Sequence, residues 1–406
     1  MDIVKPEQVG MSSERLARIQ SHLNSRYIKP GKISGCVTLV ARKGKVCYLD
    51  ALGTADRERN VAMQNNTIVR MYSMTKPVTS VAIMMLYEQG RLALTDPVHK
   101  FIPEFETLKV FETGSYPVFA SSAPARPMTI KNLLTHTSGL TYEFMRATNV
   151  DYTYRKMKIG TWAPGDTNQT LIEKLVQVPL EFSPGERWNY SVSTDVLGRV
   201  VEAVSGMRLR DYFEQAILSP LGMTETGFEI PQQHTSRFAA CYQFNPKNQP
   251  VLADDPLDSA FANRTFDSGG GGLVSSITDY FKFCSMLLNG GIFNEQRILG
   301  PRTVEYMTQN HLPNNADIAA FAMGKFSEDT YAGIGFGLGF AVKLDPAKNS
   351  NLGSVGEYYW SGAASTLFWI DPKEEMIVIF LTQLMGNTEY NFRGELQSLI
   401  YSSIEE

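Results

Sequence analysis

The chain has 406 residues, 43% of them hydrophobic and 20% charged, and a formal net charge of −4. That balance excludes wholesale disorder, and a sequence pI near 5.9 leaves no basic footprint for nucleic acid. The length asks for two or three domains, or one domain carrying a large insertion.

No run of 18 apolar residues is present to span a membrane, and the opening "MDIVKPEQVGMSSERL" lacks the basic start and apolar block of a secretory leader. Cys36, Cys47, Cys241 and Cys284 form no C-x-x-C pair and sit in apolar stretches. They are expected to be small buried hydrophobes in a reducing compartment rather than disulfides, so a cytoplasmic location is the expectation.

In chain order, residues 12–28 place Leu16, Ile19, Leu23 and Tyr27 at helical spacing behind serine caps. The β-branched runs either side of Lys43-Gly44 predict a hairpin. The middle of the chain then predicts helices or helical turns over 77–89, 129–135, 170–177, 194–205, 208–217 and 277–289, punctuated by Gly and Pro. Residues 141–166, rich in Tyr, Met and Trp without clean periodicity, read as a lid over a site or as a packed irregular connection. At the far end, two apolar strands flank Asp371-Pro372, and "EYNFRGELQSLIYSSIEE" closes as a helix. Both ends thus carry strand signals. The expected fold is α+β: an antiparallel sheet built from residues 1–70 and 331–406, flanked by terminal helices, with a mostly helical domain over 71–330 inserted between them. A site is expected in the cleft where the two meet.

"RMYSMTKPVTSVAIMMLYEQG" (70–90) holds the one S-x-x-K of the chain. Pro77 is tolerated only in a first turn, so the helix must begin close to Ser73. Residues three apart share a helix face, which sets the Lys76 ammonium beside the Ser73 hydroxyl. The helix beyond is apolar nearly all round and should be buried, so Lys76 loses hydration and becomes a usable base. The same helix end offers N–H groups to a developing oxyanion. Alone, the pair reads first as a capping serine and a lysine reaching for water.

Two further stretches bear on that choice. Tyr190 lies just ahead of a helix starting near Ser193 or Thr194, and Trp360-Ser361-Gly362 stand on a terminal strand where glycine permits close backbone approach. Each alone reads as a core aromatic. Taken together and in order, Ser73-Met74-Thr75-Lys76, Tyr190-Ser191-Val192 and Trp360-Ser361-Gly362 resemble the motifs of serine hydrolases related to class C β-lactamases. "LLTHTSGL", "FSPGERWNYS", "GGGGLVSSITDYFKFCSMLLNGG" and "GFGLGFAV" resemble that group as well. The resemblance covers nearly the whole chain and is greatest to the family VIII carboxylesterases, whose relatives include acyltransferases.

The resemblance implies a β-lactamase/DD-peptidase-like fold and acyl transfer through an ester on Ser73. Lys76 and Tyr190 would accept the serine proton, Tyr190 would return one to the leaving alkoxide, and the N–H groups of Ser73 and Ala363 would hold the oxyanion. Gly362, Ser361, Trp360 and Val192 would line the substrate site. Two departures steer specificity. Trp360 stands where β-lactamases carry the lysine of K-T-G, and Val192 where they carry an asparagine. Both remove polar handles for β-lactams or D-alanyl peptides and favour a neutral, apolar ester; small, short-acyl esters are the expected substrates.

No cofactor, metal, nucleic acid or membrane partner is expected, and the sequence leaves the oligomeric state open. A β-lactamase, a D-alanyl peptidase, an acyltransferase or a non-catalytic ligand-binding protein on the same scaffold are the alternatives. G-x-S-x-G is absent, and His136 in "THTSG" is expected to hydrogen-bond structurally rather than to serve a triad. "SGGGGLVSS" lacks the lysine of a phosphate loop and implies tight backbone packing near the cleft, while "GIGFGLGF" reads as a strand needing close approach.

Overall fold

A computed structural model of the chain describes residues 2–163, 165–262, 264–324, 329–386 and 390–406. Its centre is an eight-stranded antiparallel sheet. In spatial order the strands are Ile334–Phe336, Ala341–Lys343, Tyr358–Ser361, Leu367–Asp371, Met376–Thr382, Gly35–Arg42, Lys45–Asp56 and Val61–Ala62. The two ends of the chain meet in the middle, where Leu39 pairs with Ile379 and Val37 with Leu381. The expected hairpin turns at Lys43 and Gly44, both at positive φ, as a two-residue connection of that type requires.

Strand Gly35–Arg42 is buried on both faces, which explains why it reads as a continuous apolar run rather than an alternating one. One face carries the helices Ser13–Leu23 and Phe392–Tyr401, which enclose Leu16, Ile19, Trp369, Phe380 and Leu396. The other face packs against the inserted helices around Leu39, Val81, Phe368 and Ile379. Leu39 has no exposed surface. Leu39→Ala should therefore cost about 2–5 kcal/mol of stability through lost contact and a residual cavity, read as a shifted urea midpoint at unchanged slope.

The expected helices form, with ends adjusted by local geometry. The 77–89 helix is Thr75–Glu88, and those over 194–205 and 277–289 are Ser193–Ser205 and Ile277–Leu288. The segments 12–28 and 208–217 are each split: a regular helix (Ser13–Leu23, Leu209–Phe213) gives way to one wider π-type turn. The closing helix begins at Phe392, capped by the Asn391 side chain, while Glu389 of that stretch lies outside the described residues.

Three features go beyond the sequence expectation. A helix, Asn149–Met157, sits inside the segment 141–166, and Pro164 there lies outside the described residues. A hairpin, Val110–Ser122, projects from the helical region. "GIGFGLGF" (333–340) supplies the strand Ile334–Phe336 and then the turn into Ala341–Lys343, closed by the Gly337 N–H donating to Phe340 O at 2.7 Å. All four cysteines are buried and free. No helix among the described residues is long and apolar enough to cross a membrane.

Candidate active site

The strand Ile68–Arg70 pairs antiparallel with Val274–Ser276 and delivers the chain to Ser73. Arg70 fixes that delivery. Its guanidinium is wholly buried and grips both carboxylate oxygens of Asp254 at 2.8 Å, while the Gln383 side chain accepts from Arg70 N and donates to Arg70 O. Tyr72 then takes φ +46°, a left-handed conformation unusual for a tyrosine, directly before the nucleophile position. A 3₁₀ turn over Tyr72–Met74 carries Ser73 into the helix Thr75–Glu88.

Lys76 is 2% exposed, and three acceptors surround its ammonium. It donates to Ser73 Oγ at 3.2 Å, Tyr142 OH at 2.9 Å and Gly270 O at 2.7 Å. The same Nζ lies 4.6 Å from the centre of the Tyr190 ring. Tyr190 OH accepts from Trp360 Nε1 at 3.3 Å, and the strand Tyr358–Ser361 abuts the Tyr72–Met74 turn. Gly362 has no room for a side chain there: a Cβ would collide with Met71 O and the Thr366 hydroxyl. Ala363 N donates no hydrogen bond among the described residues, which leaves it open to a ligand.

The structure thus gathers Ser73, Lys76, Tyr190 and Trp360 around one point, with Ser361, Gly362 and Ala363 on the adjoining strand end. Val192 has no exposed surface, and its side chain packs toward Gly160.

Two residues of the constellation were not anticipated. Tyr142 reaches Lys76 because its segment is tied to the loop that carries Tyr190 into the helix Ser193–Ser205, through Val192 N donating to Thr141 O at 3.2 Å. Burial foremost, then the charges of Asp195, Tyr190 and Glu143, holds its hydroxyl well above the ordinary phenol range, so it stays protonated. Asp195, on the helix following Tyr190, is buried and accepts from Ser268 Oγ at 2.5 Å and Gly270 N at 3.0 Å. Burial raises its carboxyl while the Lys76 charge pulls the other way. It anchors the glycine run whose Gly270 carbonyl receives the lysine. A Cβ at Gly270 would press on Asp195 Cγ at 2.9 Å and Tyr142 OH at 3.0 Å, which is the physical meaning of "SGGGG".

His136 behaves as a structural histidine. Its Nδ1 is 3.2 Å from Ser191 Oγ, its ring packs among Trp188, Tyr190 and Phe336, and burial with the Lys76 charge keeps it neutral. The segment 141–166 contributes aromatic walls: Phe144 stacks on Tyr142 at 4.6 Å, and Trp162 on Tyr72 at 6.0 Å. Glu143 belongs to the same segment; its Oε2 is buried without a partner among the described residues, and its carboxyl is pushed up to about 7 by burial, with Asp195 adding and Arg155 opposing. The folded chain therefore holds a proton at Glu143 that the unfolded chain releases near 4.5. Stability from this group falls as pH rises through that window and the penalty is complete above about 7. Glu143→Gln should raise Tm at pH 8 and leave it nearly unchanged at pH 5, measured by scanning calorimetry.

A serine, a buried lysine and a tyrosine converging at the edge of this sheet define a serine hydrolase of the β-lactamase fold. The chain belongs to the β-lactamase family, whose sequence model matches residues 23–401. It is 33% identical to Protein Rv1367c of Mycobacterium tuberculosis (strain ATCC 25618 / H37Rv), over 87% of this chain and 86% of that one. It is 28% identical to Esterase EstB of Burkholderia gladioli, over 95% and 94%. Among solved structures, "EstCE1, a hydrolase with promiscuous acyltransferase activity" superposes with a TM-score of 0.79 at 28% identity, covering 96% of this chain and 99% of that one.

Proposed function

We propose that this serine hydrolase is a carboxylesterase cleaving small, short-acyl, neutral esters. The observation that carries the reading is the buried Lys76 ammonium within hydrogen-bond reach of Ser73 Oγ and beneath the Tyr190 ring. Ser73 Oγ attacks the ester carbonyl as its proton passes to the Lys76–Tyr190 pair, to the Tyr190 phenolate when Lys76 is an ammonium or to Lys76 when its amine is neutral. The oxyanion is held by the N–H groups of Ser73 and Ala363. Tyr190 OH protonates the departing alkoxide, then orients the water that cleaves the acyl-serine. Trp360 fixes the phenol by its Nε1–H, and Gly362 and Ser361 form the strand edge beside the acyl group. We place the site between a sheet domain (1–70 and 331–406) and a helical domain (71–330), in a cytoplasmic protein whose partner is a small-molecule ester.

The likeness to Esterase EstB supports ester substrates, and the likeness to EstCE1, described as a hydrolase, supports hydrolysis. The tryptophan at 360 and the buried valine at 192 offer no cation or amide to a β-lactam or D-alanyl peptide. In a panel of p-nitrophenyl esters from acetate to palmitate with nitrocefin included, kcat/KM should peak at short acyl chains. It should exceed nitrocefin turnover by about 100-fold or more, since a site lacking a substrate's hydrogen-bond partners discriminates by orders of magnitude. Rapid nitrocefin turnover with negligible butyrate hydrolysis would reverse the assignment. EstCE1's described acyltransferase activity favours a second reading, acyl transfer to an alcohol or amine. Product ratios with and without an added acceptor separate the two.

A further inference from the structure

Asp195 lies in the first turn of the helix Ser193–Ser205, 4% exposed, with its Oδ1 bonded across to the glycine run. Gly270 joins it to the lysine. The Gly270 N–H donates to Asp195 Oδ1 at 3.0 Å, and the carbonyl of the same residue accepts from Lys76 Nζ at 2.7 Å. A side chain on Gly270 would meet both Asp195 Oδ2 and Tyr142 OH, and that hydroxyl also accepts from Lys76. Carboxylate, phenol and ammonium therefore gather around one glycine.

Ser268 Oγ donates to Asp195 Oδ1 as well, at 2.5 Å. Both of these contacts are donors, the set an ionised carboxylate takes. Burial pushes the Asp195 carboxyl up, and the Lys76 charge pulls it down. That attraction is reciprocal.

Other titratable groups face the pair from several elements. Tyr142 is held protonated and His136 neutral, and Tyr190 presents its ring to the Lys76 ammonium. Glu143, on which the Asp195 charge acts, is pushed up to about 7. Asp267, next in the chain to Ser268, is taken up by Arg208 and Arg210.

We propose that Asp195 is a positioning residue for the acyl transfer, a counter-charge whose link to Lys76 through Gly270 fixes the pH at which the Lys76–Tyr190 pair can accept the serine proton. The inference rests on the roles given above to Ser73, Lys76 and Tyr190, and not on which ester is cleaved. A neighbouring negative charge makes such a pair hold its extra proton more tightly, whether the amine or the phenol releases it. Removing that charge lets the serine become reactive at lower pH.

The test compares Glu143→Gln with Glu143→Gln/Asp195→Asn, so that Glu143 does not titrate within the window. Asparagine keeps an oxygen for Ser268 and Gly270 while removing the charge. The rate of Ser73 labelling by a fluorophosphonate and kcat/KM for p-nitrophenyl butyrate are followed from about pH 5 to 9. Asp195→Asn should move the acidic limb of both profiles about one to two pH units toward acid, with the plateau within about tenfold of the parent. A purely structural role would lower the plateau and leave the limb where it was. Ser268→Ala, which keeps the charge and removes one donor, should leave the limb in place. A limb that stays put in Asp195→Asn, or that Ser268→Ala moves as far, overturns this proposal alone; a parent chain that takes no label overturns the nucleophile reading beneath it. If Asp195→Asn fails to fold by circular dichroism, the reciprocal effect decides. With carbon-13 aspartate, Lys76→Met should gain one protonated carboxyl in the infrared spectrum at neutral pH, and no gain overturns the proposal.

Discussion

Ser73→Ala should lose hydrolysis of p-nitrophenyl butyrate by roughly 10³–10⁶-fold in kcat, with circular dichroism unchanged and Tm within a few degrees. The reason for the large loss is that, among the described residues, no other hydroxyl contacts Lys76 from a position where it could take over attack. The remaining acceptors of that ammonium are a buried tyrosine held protonated and a backbone carbonyl. Residual rate would come from oxyanion donors and binding alone. The reason for the small effect on folding is that Ser73 is half-buried and its hydroxyl's recorded partner is Lys76, which keeps two other acceptors. A variant retaining more than a tenth of the parent rate would assign the chemistry to another group.

The second large effect concerns the proton. Lys76→Met keeps the volume of a buried side chain while removing the amine, and Tyr190→Phe removes only the phenol oxygen. Each should lower kcat by about 10²–10⁴-fold, the span of general acid–base catalysis, with KM changed far less. Because both groups are proposed to handle the same serine proton and Lys76 Nζ lies against the Tyr190 ring, their effects should not add: the double variant should fall little below the worse single one. Additive losses would mean that the two side chains act in separate steps. Lys76→Met carries one structural consequence. It strips the ammonium from Asp195, whose carboxyl burial already raises, so that variant should favour a protonated Asp195.

The fold's ends were legible because strand signals survive burial. Val37, Leu39, Leu381 and Ile379 belong to apolar, β-branched runs that few other structures accept, and Lys43-Gly44 has the chemistry of a two-residue turn. The order in which those strands join was not, since the pairing of the first strand with the last depends on contacts across more than 300 positions. Helix Asn149–Met157 hid behind its composition. Val150, Tyr152, Thr153 and Tyr154 are weak helix formers, yet Thr148 and Asp151 complete a capping box, and that T-x-x-D spacing was the signal to read. The hairpin Val110–Ser122 is interrupted by Gly114 and Pro117, which masks its alternation.

At the site, Ser73 and Lys76 could be read because helix geometry ties positions three apart. Tyr142 could not. It stands among Tyr152 and Tyr154 in one segment, and only the tertiary link between Thr141 and Val192 selects it for the lysine. Asp195 was hidden for a similar reason: a carboxylate in a first helical turn is an ordinary capping residue until Gly270 closes over it.

The central claim is that Ser73 is an activated nucleophile rather than the opening residue of a helix. Intact-mass measurement after a fluorophosphonate treatment, with peptide mapping of the product, tests it in one step. A single adduct on Ser73, absent from the Ser73→Ala and strongly slowed in the Lys76→Met chain, is the predicted result. An unmodified wild-type chain, or an adduct mapped to any other residue, would contradict it.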